Sequence, residues 1–441
     1  MSFNHCIDPA CMIGCPTNSY IKFDNGIVFH DDNVCIGCQY CTWNCPYGVP
    51  IFHEERNIVT KCHMCHERLA QDQTPACVQA CPAGAIEIEV FNPTTWLESE
   101  IDEQGNAPHI VDARITNATT RYTMPANSET IDFLPMDEHH LKPAHPEWPL
   151  VFMTLLTQMS LGGFFALMMG DLLHNFGFNL PEPTFWISIM VILPALIGLP
   201  LSALHLGRPF LALMAVKNIK TSWLSREAAL LGLFVVGMLT TAGLYFFNSN
   251  SLFRLLTELI TMVLGVSGIY AQAMIYKIEA RPSWNRSINI YTFFGVGYTG
   301  ILLVALMTLF IGYAHVTMAI LALSLMMGVF QLLNFFKNRS SLASLKEQDK
   351  YYYQMCRTKR LYEERFANVS KARELTLYLG AIFLPLLVVV LLASNAINFA
   401  TITLILTFII SVISEILGRY LFYVTVVPLQ LPGNFFAGAQ R

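Results

Sequence analysis

Charge is scarce in this chain. Charged residues make up only 13% of its 441 residues, whereas soluble proteins carry about 25%. Apolar residues account for 54%, and the mean hydropathy is +0.46. The net charge of −4 gives no sign of a nucleic-acid partner. The composition therefore argues against a single soluble globule and favours a membrane protein.

An export signal is also missing from the first 30 residues, which contain no twin arginine and no apolar stretch with a small-residue cleavage site. Eleven of the twelve cysteines lie before residue 82, and nearly all long apolar runs lie after residue 148. Clustered cysteines in a chain without an export signal favour metal ligation over disulfides. The sequence thus divides into a cysteine-rich half and a membrane half.

The strongest motif is CIGCQYCTWNCP, in which Cys35, Cys38, Cys41 and Cys45 have the C-x2-C-x2-C-x3-C-P spacing of bacterial ferredoxins. The first three thiolates of such a run hold one [4Fe–4S] cluster, and the fourth reaches a neighbouring cluster. A zinc ribbon is the alternative, but it usually has two separated C-x2-C pairs. The motif therefore predicts a cluster pair with exchanged ligands.

The opening stretch, MSFNHCIDPACMIGCP, supplies the partner motif. We name the two expected ligand sets site A and site B. Site A consists of Cys15, Cys35, Cys38 and Cys41. Site B consists of Cys6, Cys11 and Cys45.

Site B lacks a fourth thiolate because Phe3 stands where the motif requires a cysteine. Phenylalanine cannot bind iron, so we expect a three-cysteine site. It would hold a [3Fe–4S] cluster, or a cube with a non-cysteine fourth ligand. His5 is the nearest imidazole; the alternatives to a ligand role are a hydrogen bond and plain exposure.

A third set, site C, ends in a further Cys-Pro pair. It consists of Cys62, Cys65, Cys77 and Cys81. Its exchange partner would be a motif further upstream, and the chain starts too late to contain one. We expect these cysteines to hold one cluster together or with a partner subunit; a zinc site is the alternative, with His63 and His66 nearby. The total is two to three iron–sulfur clusters.

Three domains follow from these patterns. SYIKFDNGIVFHDDNVC and AIEIEVFNP alternate apolar and polar residues and predict short strands over the clusters. We therefore expect an α+β, bacterial ferredoxin-like domain over residues 1–91. Residues 92–148 are rich in Pro, Asn, Thr and acidic residues and predict an extended linker. Residues 149–441 would form an all-α transmembrane domain.

Eight apolar runs are long enough to cross a bilayer, which takes roughly 20 residues per helix. They cover residues 149–172, 184–206, 227–247, 255–276, 288–312, 315–336, 374–394 and 396–425. The loops at 207–226, 277–287 and 337–373 hold seventeen Lys or Arg, against Arg254 alone on the other side. The positive-inside rule then predicts a cytoplasmic iron–sulfur domain on a bacterial inner membrane.

Several polar residues lie near the membrane edge that faces this domain. They are His205, Arg208, Glu227, Glu415 and Arg419. Ionisable residues within a membrane tend to line cavities or pathways, and a quinone headgroup needs hydrogen bonds close to an electron carrier. We expect these five residues to bind a quinone, with helix-end anchoring as the alternative, mainly for the two arginines.

Haem is not expected. A bis-histidine haem needs two imidazoles at one depth, and His174 and His315 lie at the membrane edge opposite His205.

The sequence resembles a known family over nearly its whole length. NHCIDPACMIGCPT, CIGCQYCTWNCPYG and CHMCHERL…PACVQACPAGAI resemble the four-cluster iron–sulfur subunits of the dimethyl sulfoxide reductase family. HPEWPLVFMTLLTQMSLGGFFAL, LHLGRPFLALMAVKNIKTSWLSREA and EILGRYLFY resemble that family's eight-helix membrane anchor. The two subunits stand fused in this chain.

The resemblance implies a haem-free anchor that oxidises menaquinol and a catalytic partner with a molybdopterin cofactor. It matches His205 and Glu227 to family residues implicated in quinol binding, and site A to the family cluster nearest the membrane. The first family cysteine motif is missing and Phe3 replaces another ligand. The residues at the quinone end of the electron path thus match the family, while the cluster ligands at the end near the catalytic partner differ from it. A flavoprotein that uses NAD(P)H is therefore an alternative partner.

The sequence therefore predicts a non-catalytic electron-transfer and quinone-binding subunit of a membrane oxidoreductase. The alternatives are a polysulfide-reductase-like anchor and a zinc-stapled transporter or receptor without a redox role.

Overall fold

The computed structural model describes residues 4–103, 105–106, 110–123, 141–178, 183–247 and 250–429. Residues 4–123, here called the head, precede a helical bundle that begins at Trp148. Phe3, on which the expected loss of a ligand in site B depends, lies outside the described residues.

Two antiparallel hairpins form the sheets of the head. Strands β1 (Tyr20–Lys22) and β2 (Val28–His30) pair with Tyr20 opposite His30. Strands β3 (Ile51–His53) and β4 (Ile58–Thr60) pair with Ile51 opposite Thr60. The first hairpin confirms one strand prediction, and the second hairpin was not predicted.

The strand predicted in AIEIEVFNP is wrong. Residues 85–92 have no regular secondary structure, and Val90 is fully exposed. Alternating polarity stabilises a strand only where a neighbouring strand pairs with it and one face is buried. Within the described residues nothing pairs with this segment, so its pattern has no face to bury.

Two short helices in the head end in the same way. Helix α1 (Ala10–Gly14) precedes Cys15, and helix α2 (Tyr40–Asn44) precedes Cys45. Both cysteines have an extended backbone, with ψ of 120° and 117°, and a proline follows each. The chain therefore leaves each helix abruptly, which carries each of these thiols away from the preceding cysteines of its own motif.

The segment after residue 92 corrects the linker prediction. Short helical turns occupy Pro93–Thr95, Trp96–Glu100, Ile101–Glu103 and Ala113–Ile115. The Trp96 side chain is completely buried, and its indole N–H donates to the Ala118 carbonyl at 3.1 Å. A buried tryptophan contributes enough apolar area to hold such a segment in place. The described residues up to 123 therefore belong to the head.

Eight helices in the described residues are long and apolar enough to cross a membrane, as predicted. In chain order, spans 1 to 8 are Trp148–Asn175, Phe185–Ala203, Trp223–Phe246, Ser251–Ile275, Ser287–Phe310, Ala314–Ala343, Ala367–Ala393 and Ile397–Val424. Spans 5 and 7 are irregular: the first is interrupted at Val296 and Gly297, and the second contains a π-helical turn at Leu379–Phe383.

Hydropathy misplaced some helix ends. Span 3 begins four residues earlier than predicted because the Ser222 side chain accepts from the Ser225 N–H and caps the helix. Span 6 runs on through polar residues to Ala343. Capping and continued hydrogen bonding extend a helix beyond its apolar stretch, which a hydropathy window cannot detect.

Spans 1 and 5 approach each other closely at glycine residues. A Cβ atom on Gly162 would lie 1.9 Å from the Gly297 carbonyl oxygen, and one on Gly300 would lie 1.8 Å from the Met159 carbonyl oxygen. Small residues at such crossings let helix backbones pack directly inside a membrane. This crossing fixes the centre of the bundle.

We predict that Gly162→Ala destabilises the protein by about 1–3 kcal/mol, because the new methyl group would force two backbones apart. Thermal unfolding of the detergent-solubilised protein measures the effect. Gly243→Ala is the matched control, since no atom lies within 4 Å of the position that its new methyl group would take. Equal stability of the two variants would contradict the close crossing.

Candidate functional site

The four cysteines expected to form site A lie around one cavity of the head. Cys35, Cys38 and Cys41 line one cavity of the head, and Cys15 from the other motif lines it too. All four thiols are buried and unpaired with one another. A complete set of four cysteines therefore surrounds a single internal space.

Site B is a second cavity, lined by Cys6, Cys11 and Cys45. The Thr116 hydroxyl donates to the Cys6 sulfur at 3.1 Å, so the segment after residue 92 completes its wall. Lys61 also lines the cavity and donates to the carbonyls of Val28 and Cys62. Sequence reasoning missed this lysine, whose positive charge faces three thiols.

The thiol arrangement suits a polyatomic cluster. Four sulfurs around one zinc ion would lie roughly 4 Å apart, given a Zn–S distance of about 2.3 Å. Within the described residues, no three Cys, His, Asp or Glu side chains lie close enough to share a single metal ion. Backbone N–H groups point at the thiols instead, from Ser19 to Cys15 at 3.3 Å and from Gly37 to Cys35 at 3.4 Å. Hydrogen bonds of this kind tune iron–sulfur clusters.

Burial makes free thiolates unfavourable at both sites. It raises the pKa of Cys6 to about 11 and that of Cys38 to about 12. A buried thiolate needs a compensating positive charge, and bound iron would supply it. The cysteines of sites A and B thus fit the clusters that their spacing predicts, with the cysteines as ligands.

His5 does not fit a ligand role. It is buried, which lowers the pKa of its imidazole to about 3, and its Nδ1 accepts the Val28 N–H at 2.9 Å. A neutral imidazole with Nδ1 as acceptor carries its proton on Nε2, and a protonated nitrogen cannot bind iron. The hydrogen-bond interpretation is therefore the one that the geometry supports.

Site C lies at the surface of the head. Its four cysteines are only half-buried, and the residues from 82 to 85 are exposed. The Met64 N–H donates to Cys62, and the Ala85 N–H donates to Cys81, both at 3.3 Å. These bonds resemble those at site A, but the position is open to a partner.

The loop between spans 2 and 3 holds site A from the membrane side. Three of its side chains donate to backbone carbonyls of site A ligands: His205 Nε2 to Cys38 at 3.2 Å, Arg208 Nη1 to Cys35 at 3.5 Å, and Asn218 Nδ2 to Cys15 at 2.8 Å. We call this loop, residues 204–222, the cradle. Arg208 therefore lies in the contact between head and bundle and not beside Glu227.

His205 has a second partner that the sequence did not indicate. Its Nδ1 lies 2.9 Å from the carboxylate of Glu147, the residue that precedes span 1 and has a left-handed backbone. The two ring nitrogens thus face an oxygen atom of the head and an oxygen atom of the residue before span 1. Glu147 could have been noticed as the acidic residue next to the first apolar run.

An aromatic cluster joins the head to the bundle. Trp43 lies on α2 between two cluster ligands, and its ring lies 5.8 Å from His205, 6.3 Å from Tyr276 and 5.2 Å from Trp284. The Tyr40 hydroxyl donates to the carbonyl of Ile275, the last residue of span 4, at 2.9 Å. Site A is therefore continuous with the end of the bundle.

A directed chain of hydrogen bonds connects Arg419 with the neighbourhood of Glu227. Arg419 donates to Gln158 Oε1 at 2.8 Å, and Gln158 Nε2 donates to Gln272 Oε1 at 2.6 Å. Arginine can only donate, so it fixes the orientation of both amides. The Gln272 amide nitrogen then faces Thr157 and interacts with Glu227.

Two tyrosines complete this polar group. The hydroxyls of Tyr276 and Tyr423 lie 2.6 Å apart, and Glu227 interacts electrostatically with both. The Arg419 guanidinium lies 3.7 Å above the Phe293 ring, yet its buried Nε has no hydrogen-bond partner among the described residues. The group therefore contains an unused donor beside a carboxylate and two hydroxyls.

Glu415 belongs to a different set of contacts. The Gln331 amide of span 6 donates to both of its carboxylate oxygens, at 3.2 and 3.1 Å. Of the five residues predicted to bind a quinone, the structure thus brings Glu227 and Arg419 into one network. It places His205 and Arg208 at the head contact and turns Glu415 toward span 6.

Known protein families match both halves of the chain. Residues 141–424 match the model of the DMSO reductase anchor subunit (DmsC), and residues 2–90 match a 4Fe-4S dicluster domain.

Individual curated relatives match part of the chain. The probable anaerobic dimethyl sulfoxide reductase chain YnfG of Escherichia coli is 46% identical over 100 residues, which is 23% of this chain and 47% of that protein. An anaerobic dimethyl sulfoxide reductase chain of Haemophilus influenzae is 37% identical over 116 residues, which is 26% of this chain and 55% of that protein. A sulfite dehydrogenase subunit of Allochromatium vinosum is 39% identical over 109 residues, which is 23% of this chain and 45% of that protein. The chain spans about half the length of the curated relatives it matches.

The anchor model covers more than half of the chain, and it follows the dicluster domain. The chain therefore belongs to the DMSO reductase anchor subunit (DmsC) family and carries an iron–sulfur dicluster domain in front of its anchor.

Proposed function

We propose that this chain is the electron-transfer and quinone-binding subunit of a membrane-bound oxidoreductase of the dimethyl sulfoxide reductase type. It would pass electrons between a quinone pool and a catalytic partner. One observation carries the proposal: the cradle of the membrane domain is hydrogen-bonded to the ligand residues of site A. A cluster in site A would thus lie directly on the end of the bundle that carries His205, Glu227 and Arg419.

The clusters, when bound, would carry single electrons between the two ends of the head. The four cysteines that line the site A cavity would hold one cluster, and the three that line the site B cavity would hold the next. Lys61 offsets the negative charge of the site B thiolates. Site B would hold a [3Fe–4S] cluster, since the described residues supply three thiolates. The nearby N–H donors keep the sulfurs in place.

The quinone headgroup would bind beside Glu227, Arg419 and the pair of Tyr276 and Tyr423. Its two oxygens need hydrogen-bond donors, which the Arg419 Nε and the tyrosine hydroxyls supply. The Glu227 carboxylate would exchange protons with the quinol, and the two glutamines between it and Arg419 hold both charged groups in place. His205 would act from the head side, against Cys38.

The partner would dock on the exposed surface around site C. The relatives that match this chain are named as subunits of dimethyl sulfoxide reductases and of a sulfite dehydrogenase, so a molybdopterin-containing catalytic subunit is the proposed partner. The quinol that this subunit oxidises would be menaquinol. The basic loops lie at the end of the bundle that bears the head, so the head would face the cytoplasm of a bacterial inner membrane.

Exchanged ligands give a direct test of sites A and B. Cys15→Ser should remove the site A cluster although Cys15 belongs to the opening motif, and Cys45→Ser should remove only the site B cluster. Iron and sulfide content and low-temperature EPR of the purified complex report this. The oxidised wild-type protein should show a [3Fe–4S] signal, and we expect that signal to disappear in Cys45→Ser alone.

Two outcomes would contradict this assignment. Zinc without iron in the anaerobically purified protein would rule out the redox function. Loss of the same signals in both cysteine variants would contradict the division into two sites.

Glu227→Gln tests the quinone site. Loss of a charge-assisted hydrogen bond costs about 1.5–3 kcal/mol, so quinol-dependent cluster reduction should slow roughly tenfold to a hundredfold. Stopped-flow reduction by a menaquinol analogue measures the rate, while the EPR spectrum should remain unchanged. Glu258→Gln is the matched control: Glu258 is also buried, but it bonds to Tyr245 at the opposite end of the bundle. If quinol-dependent cluster reduction slows equally in both variants, the quinone site lies elsewhere.

Glu147 is expected to act as a positioning residue for His205. Glu147→Gln should shift the midpoint potential of the site A cluster and slow quinol-dependent reduction roughly tenfold, as outer-shell partners do. Redox titration followed by EPR measures the potential, and Glu147→Asp should partly restore it. His145→Ala serves as the control, because exposed His145 lies 3.7 Å from the other carboxylate oxygen. An unchanged potential in Glu147→Gln would refute the role.

A further inference from the structure

The cradle presents an apolar stripe to its surroundings. Pro209–Val216 is a 3₁₀ helix, in which side chains three residues apart lie above one another. Phe210, Leu213 and Val216 follow this spacing, and Ile219 lies in the turn that comes after the helix. Phe210 is 101% exposed and Leu213 is 88% exposed, and the other two are also exposed. Four apolar side chains in line form a surface that water does not favour.

The opposite side of the cradle is fixed to the head. Ala215 is buried, and Leu211 and Met214 pack on the main core. Asn218 donates to Cys15, and the Ser222 hydroxyl donates to the Gly14 carbonyl at 2.8 Å. The stripe is therefore held rigidly outward by the same segment that contacts the site A ligands.

Positive charge borders the stripe. Lys217 and Lys220 are exposed, and no Asp or Glu occurs between residues 204 and 226. The Arg226 guanidinium folds back, donates to the carbonyls of Ile219 and Lys220, and lies 4.3 Å above the Trp223 ring. The two lysines are thus left to face a negatively charged partner.

We propose that the cradle is a binding site for anionic phospholipid. The stripe would insert among the acyl chains, and Lys217 and Lys220 would hold the headgroup phosphate. Exposed apolar side chains continue on both sides of the stripe in the sequence: Leu204, the first residue of the cradle, is 67% exposed, and Leu233 and Val236 of span 3 are 53% and 58% exposed. A tryptophan with flanking basic residues is typical of the membrane interface.

A lipid on this site would contact a segment whose other face is bonded to cluster ligands. Lipid identity would then influence how firmly Cys15 and Cys35 are held. This lipid site requires only that the spans lie in a membrane. The experiments below detect bound lipid directly and do not depend on quinone chemistry. Failure of the quinone proposal therefore leaves it standing, and the reverse also holds.

A photo-cross-link identifies what covers the stripe. The full chain with Phe210→p-benzoylphenylalanine, purified with its associated subunits after irradiation in native membranes, should give a lipid adduct by mass spectrometry. The same residue at Val90, equally exposed but in the head, should give none. A cross-link from position 210 to a protein subunit would overturn the proposal.

The charge requirement is tested in vesicles of equal parts phosphatidylglycerol and phosphatidylcholine. Each basic residue near an anionic surface strengthens binding about fivefold, so Lys217→Gln/Lys220→Gln should lower phosphatidylglycerol enrichment in the extracted protein on the order of tenfold. Lys346→Gln/Lys350→Gln removes the same charge from a loop that also carries Glu347 and Asp349, and should leave it unchanged. Equal enrichment in both double variants would refute a specific anionic site.

Discussion

Hydrogen bonds between the cradle and the carbonyl groups of the site A cysteines join the two halves of this molecule. They form because the backbone carbonyls of Cys15, Cys35 and Cys38 face the loop after span 2, which offers side-chain donors with fixed positions. His205, Arg208 and Asn218 each use one of these carbonyls. The position of the site A cysteines relative to the helical bundle is therefore set by side chains of the membrane domain. Trp43 strengthens this arrangement, since it fills the space between the cluster loop and the bundle with aromatic contacts.

Charge burial explains how the ionisable residues of the bundle are distributed. A charged side chain inside a bilayer is costly unless it is paired or hydrogen-bonded. At the end far from the head, Asp171 and Arg254 meet this requirement with a two-bond ion pair at 3.0 and 2.7 Å. Arg419 differs, because it relies on an amide and an aromatic ring and keeps one donor unused within the part of the chain that the structure describes. That contrast supports the proposal that a ligand binds at the end near the head, while the ion pair of Asp171 and Arg254 has a structural role.

Sequence patterns predicted the cysteine chemistry and the number of spans well, because both depend on local spacing. The motif placed Cys15 with the cysteines of the second motif and Cys45 with those of the first, and the two cavities are lined in that way. The eight spans follow from length and hydropathy. The contacts of Glu147, Gln158 and Gln272 could not be predicted, since they join elements far apart in the chain. Trp96 was missed for the same reason: its segment is polar, and only tertiary burial shows that it belongs to the head. The wrong strand prediction at residues 85–92 has the opposite cause. The alternating pattern is present there, but no neighbouring strand pairs with the segment among the described residues.

The fusion of head and anchor in one chain has a consequence for the strength of their contact. The interface combines hydrogen bonds of the cradle with an aromatic cluster and the apolar contacts of Ile36, Leu211 and Met214. The polar contacts contribute little net free energy between separate subunits, because water competes for the same groups. Covalent connection raises the effective concentration of the head at the bundle to roughly the millimolar range, so a modest interface suffices to keep site A in place. The cradle is then free to use its outer face for other contacts, because it does not need a large apolar interface with the head. A polar interface also keeps fixed dipoles beside the cluster ligands, where they influence the cluster potential most strongly.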